Sequence, residues 1–252
     1  MMQLPVPLLG QITAFTINTP NLETSLAFYS KIGFSELFRA DWPFPWVQLT
    51  DGAVLIMLKK EARPYISLTY YTDDIDRLAL SLEEKGIVFF SRTAPADLFK
   101  RYVMQSPDGA MVAVVGLPEG FSQPPGPVML KMNPADFNQP DKYVNKICGM
   151  FGEFAQPVAD LDIAAGWYAQ LGFKQITRYT APYPWGIYTD GLAVVGLHQT
   201  TNFTQPAITF FAADMQQKLA ALKGLGLPVN GEKNETITTP EGQKLNLFSL
   251  GF

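Results

Sequence analysis

The sequence predicts an α+β fold made of four βαβββ units arranged as two tandem halves. Three observations carry this. A phrase recurs: residues 43–52 read PFPWVQLTDG and residues 182–191 read PYPWGIYTDG. Its surroundings recur in the same order. Tyr29, Trp46 and Asp51 return 139 positions later as Tyr168, Trp185 and Asp190; Asp74 and Gly86 return after 140 as Asp214 and Gly226; SPDG at 106–109 returns after 133 as TPEG at 239–242. Finally, the periodicities within each half run strand, helix, strands, and then repeat.

Each element has a local cause. ITAFTINT is β-branched and partly alternating, hence a strand, and Pro20 ends it. Asn21 is placed to cap the helix LETSLAFYSKI, which carries Leu22, Leu26 and Tyr29 on one face. Gly33 stops that helix. FSELFRA, WVQLT and AVLIMLK read as three strands, with Asp51-Gly52 as a hairpin turn. The pattern then restarts. YISLTYYT is a strand, Asp74 a cap, IDRLALSLEEK a helix and Gly86 its stop, and RYVMQ and AMVAVVG flank the PDG turn. Tyr70-Tyr71 and Phe210-Phe211 are adjacent aromatic pairs, so one of each faces the helices and the other faces away. An isolated unit would leave its sheet face wet, whereas two together bury the helices and leave a concave face. Residues 120–143 are rich in Pro, Asn, Asp and Gly without periodicity, a linker or wrapping arm. The expected domains are 1–120 and 148–252, joined by 121–147.

Composition excludes several classes. The chain has 252 residues, 47% hydrophobic, 13% aromatic and only 17% charged, with net charge −4. No run of Lys or Arg supplies the clustered positive charge that nucleic acid requires. The single cysteine, Cys148, cannot form an intrachain disulfide. No stretch approaches membrane-spanning length, and the start MMQLPVPLLGQ lacks a basic n-region. A cytoplasmic protein, monomer or homodimer, with no nucleic-acid or membrane partner is expected.

The ordered motifs INTPNLETSLAFYSKIGF, TDG, YYTDDIDRLALSLEEKGI and SPDGAMVAVVG, with their second-half counterparts, resemble the vicinal-oxygen-chelate superfamily. That group includes glyoxalase I, extradiol dioxygenases, fosfomycin-resistance enzymes and bleomycin-resistance proteins. The resemblance spans nearly the whole chain outside the linker. It implies two tandem glyoxalase-like cup domains, often with a divalent metal at the floor. It places ligands on the first strand, at the start of the second unit's first strand, and on the last strand. Those positions hold Ala14 and Glu153, Ser67 and Ala207, Ala113 and Asn246. Only Glu153 is a strong ligand, Asn246 can serve as a weak one, and His198 is the chain's one histidine. A catalytic divalent site takes three protein ligands, mostly His and carboxylate. No metal and no other cofactor is therefore expected, and no catalytic residue is assigned.

Ligand-binding candidates are Trp46, Trp185, Tyr183, Glu153, Lys244, Asn246 and His198. The prolines of the repeated phrase stiffen a loop that holds a tryptophan where a strand begins. Trp46 and Trp185, aided by Phe44, Tyr183 and Trp42, are either stacking walls for a planar ligand or plugs of the core. Glu153 is either a cup-facing carboxylate or a solvated residue at a strand start. Lys244 and Asn246 alternate along the last strand and share its face, so Asn246 can meet Glu153 or a ligand. His198 is either a solvated strand end or a base or donor at a cup rim. The leading function is metal-independent binding of a small aromatic or apolar molecule. The alternatives are a metal-dependent enzyme of glyoxalase or dioxygenase type in the second half, and a structural or interaction protein.

Overall fold

The computed structural model describes residues 4–94, 99–117, 136, 138–230 and 235–249. Four βαβββ modules follow one another. The first is β1 (Ile12–Thr19), α1 (Leu22–Lys31), β2 (Ser35–Ala40), β3 (Trp46–Thr50) and β4 (Leu55–Lys60). The second is β5 (Ile66–Thr72), α2 (Ile75–Glu84), β6 (Phe89–Arg92), β7 (Arg101–Gln105) and β8 (Met111–Gly116). The third is β9 (Met150–Pro157), α3 (Leu161–Gln170), β10 (Lys174–Tyr179), β11 (Trp185–Thr189) and β12 (Val194–His198). The fourth is β13 (Ala207–Ala212), α4 (Met215–Gly224), β14 (Val229–Asn230), β15 (Glu235–Thr238) and β16 (Lys244–Ser249).

Each half builds one eight-stranded mixed sheet. The orders are β2-β3-β4-β1-β5-β8-β7-β6 and β10-β11-β12-β9-β13-β16-β15-β14. The pairs β5–β8 and β13–β16 are parallel, each across a helix that the intervening sequence supplies. Three of the four helices start on a side-chain cap. Asn21 Oδ1 accepts from the Thr24 N–H at 3.1 Å, Asp74 Oδ1 from Arg77 at 3.0 Å, and Asp160 Oδ1 from Asp162 and Ile163 at 2.9 and 3.0 Å. The fourth, Asp214, makes no capping bond; its carboxylate faces Lys218 at 3.5 Å. Among the described residues no helix is long and apolar enough to cross a membrane.

Compaction does not follow the halves. One compact unit gathers β5–β8 and α2 with β10–β12 and α3; the other gathers α1 and β2–β4 with α4 and β13–β16. The strands β1 and β9 are divided between them, at Phe15/Thr16 and at Ala155/Gln156. The repeated turns act inside these units. In the first, Asp108 of the SPDG turn accepts from the Ala159 N–H at 2.7 Å, just before α3. In the second, Glu241 of the TPEG turn accepts from the Ser25 hydroxyl on α1. It also lies near Tyr29, whose hydroxyl is pushed well above its ordinary pKa by burial and, next, by that carboxylate.

The TDG aspartates are anchored in a parallel way. The sequence reads Asp51-Gly52 as a turn; β3 and β4 pair up to Thr50–Leu55, leaving a four-residue loop. Asp51 Oδ1 accepts from the Ala53 and Val54 N–H groups at 2.9 and 2.8 Å, and Asp190 Oδ1 from Leu192 and Ala193 at 2.9 and 2.8 Å. The second oxygen of Asp51 accepts from Asn145 Nδ2 at 3.0 Å. The Tyr70 hydroxyl neighbours Asp190 without hydrogen-bond geometry of the ordinary kind. Gly191 has φ +98°, and a Cβ there would overlap the Pro5 carbonyl, so this turn position requires glycine.

Much of the predicted linker lies outside the described residues. Its last part runs against the second unit. Tyr143 is buried and its hydroxyl accepts from the Ala213 N–H at 2.9 Å; the Lys146 carbonyl accepts from Lys218 Nζ at 2.7 Å. Asn145 also donates to the Ile32 carbonyl at 3.0 Å. Cys148 is buried beside it, and burial pushes its thiol well up, so it stays protonated.

Candidate functional site

The predicted residues fall on several sheet faces. In the first unit, Tyr179, Trp185 and His198 lie opposite one another on β10, β11 and β12. Their rings form a ladder. Tyr179 and Trp185 stack at 4.6 Å and 25°, and Trp185 and His198 at 5.5 Å and 4°. Tyr183 brings its hydroxyl to 3.4 Å from His198 Nδ1, and Phe203 meets the imidazole edge-on at 5.6 Å. The Trp185 indole N–H donates to the Ala181 carbonyl at 3.2 Å. Trp185 is half-buried, so it does not plug the core. Neighbouring strands cover both its faces, so a ligand can meet it only along the edge.

The first-half copy is assembled differently. Trp46 starts β3, and its indole N–H donates to the Trp42 carbonyl at 3.3 Å, as in the repeat. Phe38 packs on it at 5.4 Å with a 43° tilt. Where the second half has His198, this one has Lys59, across from Trp46. The Lys59 ammonium lies 4.4 Å from the Phe44 ring centre and pairs with Glu61 at 2.7 Å. Phe38, Trp42 and Phe44 are 55%, 60% and 36% exposed. Val47 and Leu49, on the opposite face of β3, are buried.

Glu153 belongs to the second unit. It sits in the middle of β9 and is 2% exposed, which overturns the reading of a solvated residue at a strand start. Thr209 on β13 lies directly opposite it, Asn246 on β16 lies opposite Thr209, and Thr236 on β15 lies opposite Asn246. One polar row thus crosses four strands. Asn246 Nδ2 donates to Thr209 Oγ1 at 3.3 Å. The other face of these strands is apolar, with Phe151 against Phe210 at 6.2 Å and Leu245 and Leu247 buried. A bulge between Thr209 and Phe210 makes this possible. Gly152 is the extra residue, which puts Glu153 and Phe151 on opposite faces. A Cβ on Gly152 would overlap the Phe211 ring. Phe211 and Phe248 contact each other at 5.7 Å further along the polar face. Lys244 is on that face too, with its ammonium donating to Thr238 Oγ1 at 2.6 Å.

In the first half the matching positions are chemically plain. Ala113 faces Thr69 on β5 and Val103 on β7, and Ala14 is fully buried. The Ser67 and Thr69 hydroxyls bond each other at 2.9 Å.

The divalent metal implied by the fold resemblance does not fit these donors. The second-half row offers one carboxylate, a hydroxyl already accepting from an amide, and that amide. Among the described residues no three of His, Cys, Asp and Glu come together in a way that could hold a metal ion. Sequence reasoning singled out Glu153 and Asn246 and missed Thr209. The gap had one usable signal: strand pairing puts Thr209 between them, which becomes visible only once the register, including the bulge, is known. Tyr179 and Phe203 were likewise missed, because neither has an aromatic counterpart in the first half.

No protein-family model matches the sequence, and no curated protein matches it either. Solved structures do. A catechol 2,3-dioxygenase superposes with TM-score 0.60 at 14% identity, covering 97% of this chain and 88% of that one. Homoprotocatechuate 2,3-dioxygenase from Arthrobacter globiformis gives 0.63 at 12%, covering 100% and 83%. The 2,2',3-trihydroxybiphenyl 1,2-dioxygenase from the dibenzofuran-degrading Sphingomonas wittichii strain RW1 gives 0.59 at 15%, covering 96% and 90%. Identities this low speak for architecture alone. Two tandem eight-stranded sheets made of four βαβββ modules, matched over most of their length by these enzymes, give this chain the fold of these dioxygenases.

Proposed function

We propose that the protein binds small aromatic or apolar molecules without a metal, in the manner of the glyoxalase-like and bleomycin-resistance proteins. The observation that carries this reading is the exposed aromatic group of the first half. Trp46 is held by its indole N–H and flanked by Phe38, and Trp42 and Phe44 stand beside it in solvent. Large aromatics left half-wet on a braced loop are a surface for planar guests, since ring stacking needs little conformational entropy loss from a rigid wall. The ladder of Trp185 and His198 with Tyr183 is closed on both indole faces, so its role is an apolar edge and a hydrogen-bonding rim. Glu153, Asn246 and Lys244 supply polar recognition. The lack of clustered basic charge speaks against a nucleic-acid partner, and the proposed setting is a cytoplasmic monomer or homodimer that acts on small molecules rather than on a membrane.

The test is a titration of the purified protein with 2-naphthol, followed by tryptophan quenching and by thermal shift. Saturable binding is expected, weakened about tenfold in Trp46→Ala and less in Trp185→Ala, in line with the worth of an aromatic contact. Absence of saturable binding, or an unaltered Trp46→Ala, refutes the reading. Elemental analysis runs alongside it. About one Fe, Zn, Mn or Ni per chain, lost in Glu153→Ala, would instead establish the metal-dependent alternative.

A further inference from the structure

A groove of about 560 Å³ runs along α1 in the second unit, on the helix rather than in a sheet cup. None of the binding candidates named so far lines it, and its volume lies in the range of small-molecule sites. Phe28 and Leu227, both buried, form its floor, and Ala27 and Pro240, both exposed, form its walls. Helix geometry makes the trough continuous. Glu23, Ala27 and Lys31 follow one another at four-residue steps, so they share one face of α1 over two turns, about 12 Å. The charges at the two ends are unlike. The Glu23 carboxylate accepts from Arg39 Nη1 at 2.7 Å, so this acid is already engaged. Lys31, in the last turn of α1, is exposed, and among the described residues no carboxylate pairs with it. The duplication supplies an internal contrast. Asp162 and Arg178 repeat the pair of Glu23 and Arg39, and Trp167 repeats the ring of Phe28, but Gln170 stands where Lys31 stands. The acid–arginine pair is thus common to both units, and the cation belongs to this groove. An elongated apolar trough that ends on an available ammonium fits a guest with a hydrocarbon chain and one anionic head.

We infer that the α1 groove of the second unit is a binding site for a medium-chain alkyl carboxylate, with the chain over Ala27, Phe28, Leu227 and Pro240 and the head group on Lys31. This site goes beyond the small-molecule reading above and shares no residue with the aromatic group around Trp46.

Octanoate, hexanoate and octan-1-ol test the inference by calorimetry at pH 7 on the full chain. Octanoate should bind saturably, and hexanoate about tenfold more weakly, because it has two fewer methylenes to bury. Octan-1-ol keeps the chain without the charge and should bind about threefold more weakly than octanoate, the scale of an exposed ion pair. Lys31→Gln should erase that preference. Ala27→Phe should lower octanoate affinity about tenfold or more by filling the trough, and both substitutions fall at exposed positions. Trp46→Ala should leave octanoate binding unchanged. Absence of saturable octanoate binding to the wild type overturns the inference, as does an unchanged affinity in folded Ala27→Phe or an unchanged preference in folded Lys31→Gln. A loss in Trp46→Ala with none in Ala27→Phe overturns it too and assigns octanoate to the aromatic group. If 2-naphthol binds through Trp46 and octanoate does not bind, the small-molecule reading alone survives; if octanoate binds as expected and 2-naphthol does not, only the groove does.

Discussion

Asp51 and Asp190 hold equivalent places in the repeated TDG loops, and in both burial raises the carboxyl pKa more than the surrounding hydrogen bonds lower it. The folded chain therefore holds these protons more tightly than the unfolded chain does. Such a group adds stability below the unfolded carboxylate pKa, near 3.9, and that contribution is lost as pH rises through the raised folded value. Asp190→Asn keeps an oxygen for the Leu192 and Ala193 N–H groups and removes the titration. Its stability relative to wild type in urea unfolding should therefore improve as pH rises above 4, until the raised folded value is passed; parallel curves for the two proteins would refute this. The motif could be read in the sequence, but the environment of its carboxylate could not. Nothing near Asp51 in sequence announces Asn145, 94 positions away. Glu153 shows the same limit. Its candidacy came from a strand position, and its burial came from neighbours on other strands.

Helices and strands were legible because their causes are local. The caps Asn21 and Asp74 and the glycine stops Gly33 and Gly86 act within four residues of the ends they define and do so in the folded chain, and Asp160 caps α3 in the same way. Asp214 is the informative exception. It stands where Asp74 stands in the first half, yet makes no capping bond. Replacing Asn21 or Asp160 by Ala should cost about 1 kcal/mol each in chemical denaturation, whereas Asp214→Ala should cost about 0.5 kcal/mol or less. Equal losses at all three would mean that cap geometry is not what stabilises these helix starts. Faces of strands were legible from alternation, as Phe210 and Phe211 show by pointing to opposite sides. The bulge at Gly152 was not, because it turns Phe151 and Glu153 to opposite faces although they stand two positions apart, and only the pairing with β13 reveals it.

Across the entire chain, the duplicated turns have a consequence for stability. Ser25 and Glu241 join the first and fourth modules within one unit, and Asp108 and Ala159 join the second and third within the other. Glu241→Ala should lower stability by about 1 kcal/mol, since it removes the half-buried acceptor of the Ser25 hydroxyl and a neighbour of the Tyr29 hydroxyl. Hydrogen exchange should then quicken in α1, with α3 protected as before. Equal acceleration in both helices would show that the contact does not act within its unit. The repeat, the kinds of element and their order were already written in the chain, since capping, turn chemistry and periodicity operate over a few residues and the duplication displays them twice. Which modules consolidate together, that Trp185 stacks on Tyr179 and His198 while Trp46 packs on Phe38, and that Glu153, Thr209 and Asn246 form one row were settled by folding alone. Each depends on register and packing between segments tens to hundreds of residues apart, and no short-range pattern encodes such pairings.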